Sequence, residues 1–134
     1  MHRPVGRLFA LLAIATLVGA GCSASAATIE RVQPGAAAEI VEADADVVVL
    51  DIRTPEEFGQ GAIEGATNID FYAPDFADQL DHLDRDVHYV VYCRSGNRSG
   101  QSMSIFADLG FADVTEIDGG VVSWLEEGLP IVLP

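Results

Sequence analysis

Apolar β-branched runs alternate along this chain with segments whose apolar residues recur every three or four positions. Val47-Val48-Val49-Leu50 is a continuous apolar run, the pattern of a strand covered on both faces. His88–Tyr92 is a second β-rich run, and Ile29–Val32, Ala66–Ile69 and Val114–Ile117 are shorter ones. Between them lie helical segments. Pro34 opens one that continues through Ala36–Glu42, rich in good helix formers. Thr54-Pro55-Glu56-Glu57 reads as an N-cap, a proline at the first turn and acids at the positive end of a helix. Residues 75–84 carry Phe76, Leu80 and Leu83 at helical spacing. Ser99–Leu109 places Met103, Phe106 and Ala107 on one side and stops at Gly110. Gly119-Gly120 marks a turn before a last helix, Val121–Glu127, in which Val121, Trp124 and Leu125 read as core. Strands separated by helices predict parallel pairing in an α/β layer fold, with a site beyond the carboxyl ends of the strands.

The first residues follow a different pattern. Arg3 and Arg7 precede an apolar run from Leu8 to Val18, and Gly19, Ala20 and Gly21 lead to Cys22. A charged start, an apolar middle and a small-residue exit describe a secretory leader. The run is shorter than the roughly 20 residues of a membrane-spanning helix. Ala20-Gly21-Cys22 is similar to a bacterial lipobox, in which the cysteine becomes a lipidated first residue; cleavage after Ala26 is the alternative. The expected organisation is a leader over 1–21, a small-residue tether over 22–28 and one domain over 29–134. The product is an exported protein, either a cell-envelope lipoprotein or a periplasmic or secreted one, touching membrane only through that lipid.

Composition narrows the partners. The 134 residues include 7 Arg, no Lys and 21 Asp plus Glu, for a net charge of −14. Without 1–21 the balance is 5 Arg against 21 acids, a net charge of −16. Such a surface excludes nucleic acid as a partner, because nothing on it could neutralise a row of phosphates. An apolar share of 49% excludes a disordered chain. Two cysteines can build neither a disulfide framework nor a four-thiolate zinc site.

Chemistry concentrates in Cys93-Arg94-Ser95-Gly96-Asn97-Arg98-Ser99, between the fourth strand and a helix. A cysteine just before a helix N-terminus faces unpaired N–H groups and a positive dipole end, which favour thiolate over thiol. Arg94 and Arg98 add two permanent charges. Gly96 allows dihedrals that turn successive N–H groups inward as an anion nest, and Ser99 can cap the helix. The loop is a nucleophile at the bottom of an anion-binding bowl, suited to a small anionic substrate and a charged covalent intermediate.

With this loop, the sequence resembles the rhodanese (thiosulfate sulfurtransferase) family. The resemblance spans Leu50-Asp51-Ile52-Arg53-Thr54-Pro55-Glu56-Glu57-Phe58, Gly61–Ile69, Cys93–Ser99, Asp118-Gly119-Gly120, Trp124 and Gly128-Leu129-Pro130-Ile131, in the family's order. One departure is Ala62, where the family usually carries His. The resemblance implies a three-layer fold with a central parallel sheet of about five strands and helices on both faces. It also implies that Cys93 carries a persulfide, that Arg98 braces the loop, and that Asp51 and Arg53 end a neighbouring strand as supporting residues. Arg94 is expected at the rim, holding the substrate anion.

The expected reaction moves sulfane sulfur from thiosulfate or a persulfide to cyanide or a thiol through Cys93, with neither metal nor organic cofactor. Two other functions fit the same residues. One is a module that carries or senses sulfane sulfur without turnover. The other is a cysteine-dependent phosphatase or arsenate reductase on the same fold. Only four residues separate Cys93 from Arg98, one fewer than in related phosphatases, and the loop has no Asp or His to protonate a leaving group. Sulfur transfer is the reading these features favour. Phe71-Tyr72 either walls the pocket or joins the core.

Overall fold

The structure is a computed structural model that describes Gly21 and residues 26–134; the apolar leader and Cys22 lie outside the described residues. Five strands form one sheet: β1 (Thr28–Val32), β2 (Val48–Asp51), β3 (Thr67–Asn68), β4 (His88–Tyr92) and β5 (Asp113–Ile117). The order across the sheet is β1-β5-β4-β2-β3, and every pairing is parallel. Strand β1 opens at Thr28, the last residue of the stretch read as a tether.

The described residues form five helices, α1 (Pro34–Ala43), α2 (Pro55–Gly59), α3 (Phe76–Asp81), α4 (Asn97–Asp108) and α5 (Gly120–Glu126); the first four connect successive strands and α5 follows β5. Side chains alternate across a strand, so neighbouring residues of one apolar run enter two different cores. Leu50 and Val91 join Phe76 and Leu80 of α3 and Phe106 of α4 on one face. Val49 and Val90 join Ala37 of α1 and Val121 and Trp124 of α5 on the other. This two-faced burial is why the central strands read as unbroken hydrocarbon.

Two helical faces differ from the spacing prediction. On α4 the buried residues are Ser99, Ser102 and Phe106, and Ala107 faces solvent. A face predicted from apolar residues alone misses this tilt, because buried serines carry no hydrophobic signal. On α5, Trp124 and Val121 are buried, whereas Leu125 is 49% exposed. Two adjacent helical positions lie about 100° apart, and the wide indole of Trp124 already fills the space over the sheet.

The chain leaves β2 toward β3 at one edge and leaves β4, through α4, toward β5 on the other side. The connections therefore diverge between neighbouring β2 and β4, opening a crevice at their carboxyl ends. Asp51 and Tyr92 are register partners there, and Cys93 follows directly.

The exposure pattern of α4 sets a simple contrast. Phe106→Ala should cost about 3–5 kcal/mol, whereas Ala107→Ser should stay within about 0.5 kcal/mol. Urea unfolding of both variants measures the difference; equal losses would contradict the helix orientation described.

Candidate active site

The segment after β4 folds around one sulfur atom. Gly96 is the N-cap of α4 and adopts φ 94°, a left-handed conformation open to glycine at little cost. That turn directs N–H groups back toward Cys93. Its Sγ accepts hydrogen bonds from Gly96 N at 3.1 Å and Ser99 N at 3.4 Å, and Ser99 Oγ lies at 3.4 Å. Cys93 is only 1% exposed, yet its sulfur faces amides and a hydroxyl as well as hydrocarbon. Burial pushes the thiol up; the backbone N–H groups of Ser99, Gly96 and Ser95 pull it down, and the net direction is below an ordinary thiol.

Helix α4 begins at Asn97, so Ser99 lies inside its first turn and does not cap it. Its hydroxyl instead sits between the sulfur and Glu116 Oε1, to which it donates at 2.8 Å. Ser95 and Asn97 are exposed on the loop's outer side, and the Asn97 side chain bonds Gln101.

The two arginines have separate roles. Arg98 forks onto Glu57, with both hydrogen bonds at 2.8 Å, and its guanidinium stacks 5.3 Å from the Tyr72 ring centroid. Glu57 also closes the α2 capping box with Thr54, so one carboxylate ties α2 to the reactive loop. Arg98 holds the Glu57 carboxyl down to about 2, against the opposing effect of burial and with help from Thr54. Arg94 is exposed, and its guanidinium makes no hydrogen bond or ion pair among the described residues. With Arg53, Glu57, Val121, Val122 and Leu125 it lines a cavity of about 250 Å³ beside the loop. A groove of about 280 Å³ near Trp124 and Leu129 shares no residue with the loop. Phe71 packs against the core, whereas Tyr72 is 65% exposed against Arg98, and neither lines the cavity beside the loop.

Asp51 and Arg53 form a buried ion pair: Arg53 Nη2 lies 2.6 Å from Asp51 Oδ2, which also accepts from the Tyr92 hydroxyl at 2.6 Å. Arg53 reaches further to the Gly61 carbonyl at 2.7 Å. The pair thus locks the residue before Cys93 to the end of β2. At Ala62, paired backbone hydrogen bonds to Val132 lay the C-terminal segment over the buried methyl group.

Two residues of the site carry roles the sequence reading lacked. Gly120, read as part of a turn, presses its Cα against the loop: a Cβ there would stand 2.5 Å from the Cys93 carbonyl oxygen. The next two amides, Val121 N and Val122 N, donate to the carbonyls of Cys93 and Arg94 at 2.9 and 3.0 Å. Glu116 had one available signal, a lone acid inside a strand otherwise reading as buried.

Comparison with known proteins agrees with this arrangement. The family described as Rhodanese-like domain matches residues 34–127. A sulfurtransferase from Allochromatium vinosum is 40% identical over 89 residues, covering 66% of this chain and 81% of that protein. The thiosulfate sulfurtransferase GlpE of Pseudomonas aeruginosa is 38% identical over 97 residues, covering 72% and 84%. Among solved structures, a rhodanese-related protein from Thermoplasma volcanium superposes with a TM-score of 0.64 at 32% identity, covering 81% of this chain and 99% of that one.

The Glu57–Arg98 fork has a definite pH signature. Its carboxyl is depressed in the folded state, so its contribution is complete above the unfolded value of 4.5 and disappears as pH falls through about 2. Glu57→Gln should destabilise by about 1–3 kcal/mol at neutral pH. That difference should shrink across the same acid window in denaturant titrations; a difference independent of pH would contradict it.

Proposed function

The chain belongs to the rhodanese family, with sulfur transfer as its class of chemistry, and on that premise we propose that it is an exported sulfurtransferase working through a persulfide on Cys93. The observation that carries this reading is the convergence of backbone N–H groups on one sulfur. A thiolate there, and later the negative terminal sulfur of a persulfide, needs donors that are already in place.

In the first step the Cys93 thiolate attacks the outer sulfur of thiosulfate. A new S–S bond forms, the donor's S–S bond breaks, and its electron pair leaves with sulfite. Arg94 holds the incoming anion at the rim, consistent with its exposure and free guanidinium among the described residues. In the second step cyanide or a thiol attacks the terminal sulfur, and Cys93 departs as thiolate. Splitting transfer into two displacements predicts ping-pong kinetics. Arg98, committed to Glu57, holds the loop in shape and adds positive charge near the sulfur. Asp51 and Arg53 act at one remove, by fixing Tyr92.

Export on a leader cleaved before Cys22 or after Ala26 puts this chemistry outside the cytoplasm, where a thiol-bearing acceptor in the cell envelope is the expected physiological partner. The mass of the mature N-terminus distinguishes a lipidated Cys22 from cleavage after Ala26, and an uncleaved chain would refute export.

Incubated with thiosulfate and cyanide, the protein should release sulfite, and Cys93→Ser should lower that rate by about a thousandfold or more. Arg94→Ala should reduce kcat/KM for thiosulfate by about ten- to a hundredfold, the range of one lost charge-assisted contact. Cys93 should gain the mass of one sulfur atom after donor alone. Absence of that adduct with every sulfane donor, or transfer that survives Cys93→Ser, would refute the mechanism; an adduct without turnover would indicate a carrier.

A further inference from the structure

Glu116 is a buried acid in a sheet whose buried positions are mostly apolar. It lies on β5, in register with Arg31 of β1 on one side and Val91 of β4 on the other, and is 1% exposed. A buried carboxylate is costly unless it is paired and hydrogen-bonded. Arg31 Nε donates to its Oε2 at 2.8 Å, and Ser99 Oγ donates to its Oε1 at 2.8 Å. Ser99 Oγ in turn lies 3.4 Å from Cys93 Sγ. Gly100 makes room for this chain of contacts: a Cβ there would stand 3.0 Å from Arg31 Nη2 and 3.5 Å from Glu116 Oε1. The sulfur-transfer steps use neither Glu116 nor Arg31.

A serine hydroxyl has one proton, and an ionised carboxylate can only accept. While Glu116 holds that proton, Ser99 shows the sulfur an oxygen lone pair. A thiol S–H is a good partner for this lone pair and a thiolate is a poor one. Turned the other way, the same hydroxyl would donate to the thiolate.

We propose that Glu116 is a positioning residue that moderates Cys93: by engaging the Ser99 proton it leaves backbone N–H groups as the donors to sulfur and keeps the thiol in balance with the thiolate. The proposal rests on Cys93 being the sulfur carrier, which acts first as attacking group and then as leaving group. A thiolate of very low basicity leaves readily but attacks weakly, and attack is best when the thiol ionises near ambient pH. Glu116 therefore shifts the balance of the site toward accepting sulfur. The other charges facing this cluster are Arg98, which acts on Cys93 and is paired with Glu57, and Asp118, which acts on Arg31.

The test is Glu116→Gln in the full chain. Arg31 can bind only the amide oxygen, so the amide N–H turns to Ser99 Oγ and frees the hydroxyl proton for the sulfur. The rate of iodoacetamide labelling of Cys93, followed by peptide mass spectrometry against pH, reports the thiolate without any sulfur donor. The ionisation midpoint should fall by about one pH unit, and in a Ser99→Ala background the same substitution should shift it by less than half as much. Above both midpoints, labelling of the Glu116→Gln thiolate should be about two- to threefold slower than wild type. An unchanged midpoint overturns the proposal. So does a raised one, which would make Glu116 a base, and so does an equal shift without Ser99. Should Glu116→Gln not fold, the infrared S–H stretch of the unmutated protein, taken as a difference from Cys93→Ser, should be displaced to lower frequency by donation to Ser99. A stretch at the free-thiol position overturns the proposal as well. Labelling is independent of sulfur transfer, so a failure here is distinguishable from a failure of the transfer mechanism.

Discussion

A sulfur anion held away from water is stable only where fixed donors surround it, and this fold keeps several N–H groups aimed at the Cys93 sulfur. The aim depends on Gly96 in a left-handed conformation and on the start of α4 immediately beyond it. It depends equally on the far side of the loop, where the amides of Val121 and Val122 hold the carbonyls of Cys93 and Arg94. Donors on one side of the loop backbone and acceptors on the other leave it little freedom to relax around an uncharged sulfur. Such a site meets developing charge without reorganising at the moment of reaction.

The supporting contacts arrive from three elements at the carboxyl end of the sheet. Glu57 of α2 clamps Arg98, Asp51 of β2 holds Tyr92 and Arg53, and Gly120 of α5 packs against the loop backbone. Each is buried or half-buried, so solvent screens it less than a surface pair. Among the described residues five arginines face 21 acids, and two of the five stand in the loop itself. Much of the positive charge of this acidic molecule thereby lies beside the Cys93 sulfur.

Much of this is legible in the chain alone, for local reasons. A parallel strand covered on both faces requires an unbroken apolar run, so β2 and β4 announce themselves. The capping box at Thr54 and Glu57 and the left-handed Gly96 depend on contacts within a few residues, and their sequence signals are correspondingly direct. The cysteine-to-helix step, which sets the sulfur among backbone N–H groups, is local in the same sense.

What the tertiary structure alone decided are relations between residues far apart in the chain: Ser99 with Glu116, Arg31 with Glu116, and Gly120 with the Cys93 carbonyl. Ala107 and Leu125 turn outward for a similar reason, since periodicity says which residues share a face but not how a helix is rolled against the sheet. A hydrogen bond depends on position to within tenths of an ångström, whereas a hydrophobic pattern constrains only which side of an element is wet. The sequence by itself therefore determined the layers, the strands and the reactive loop. The proton partner of Ser99, and with it the balance between thiol and thiolate, was settled only when β1, β5 and α4 came together.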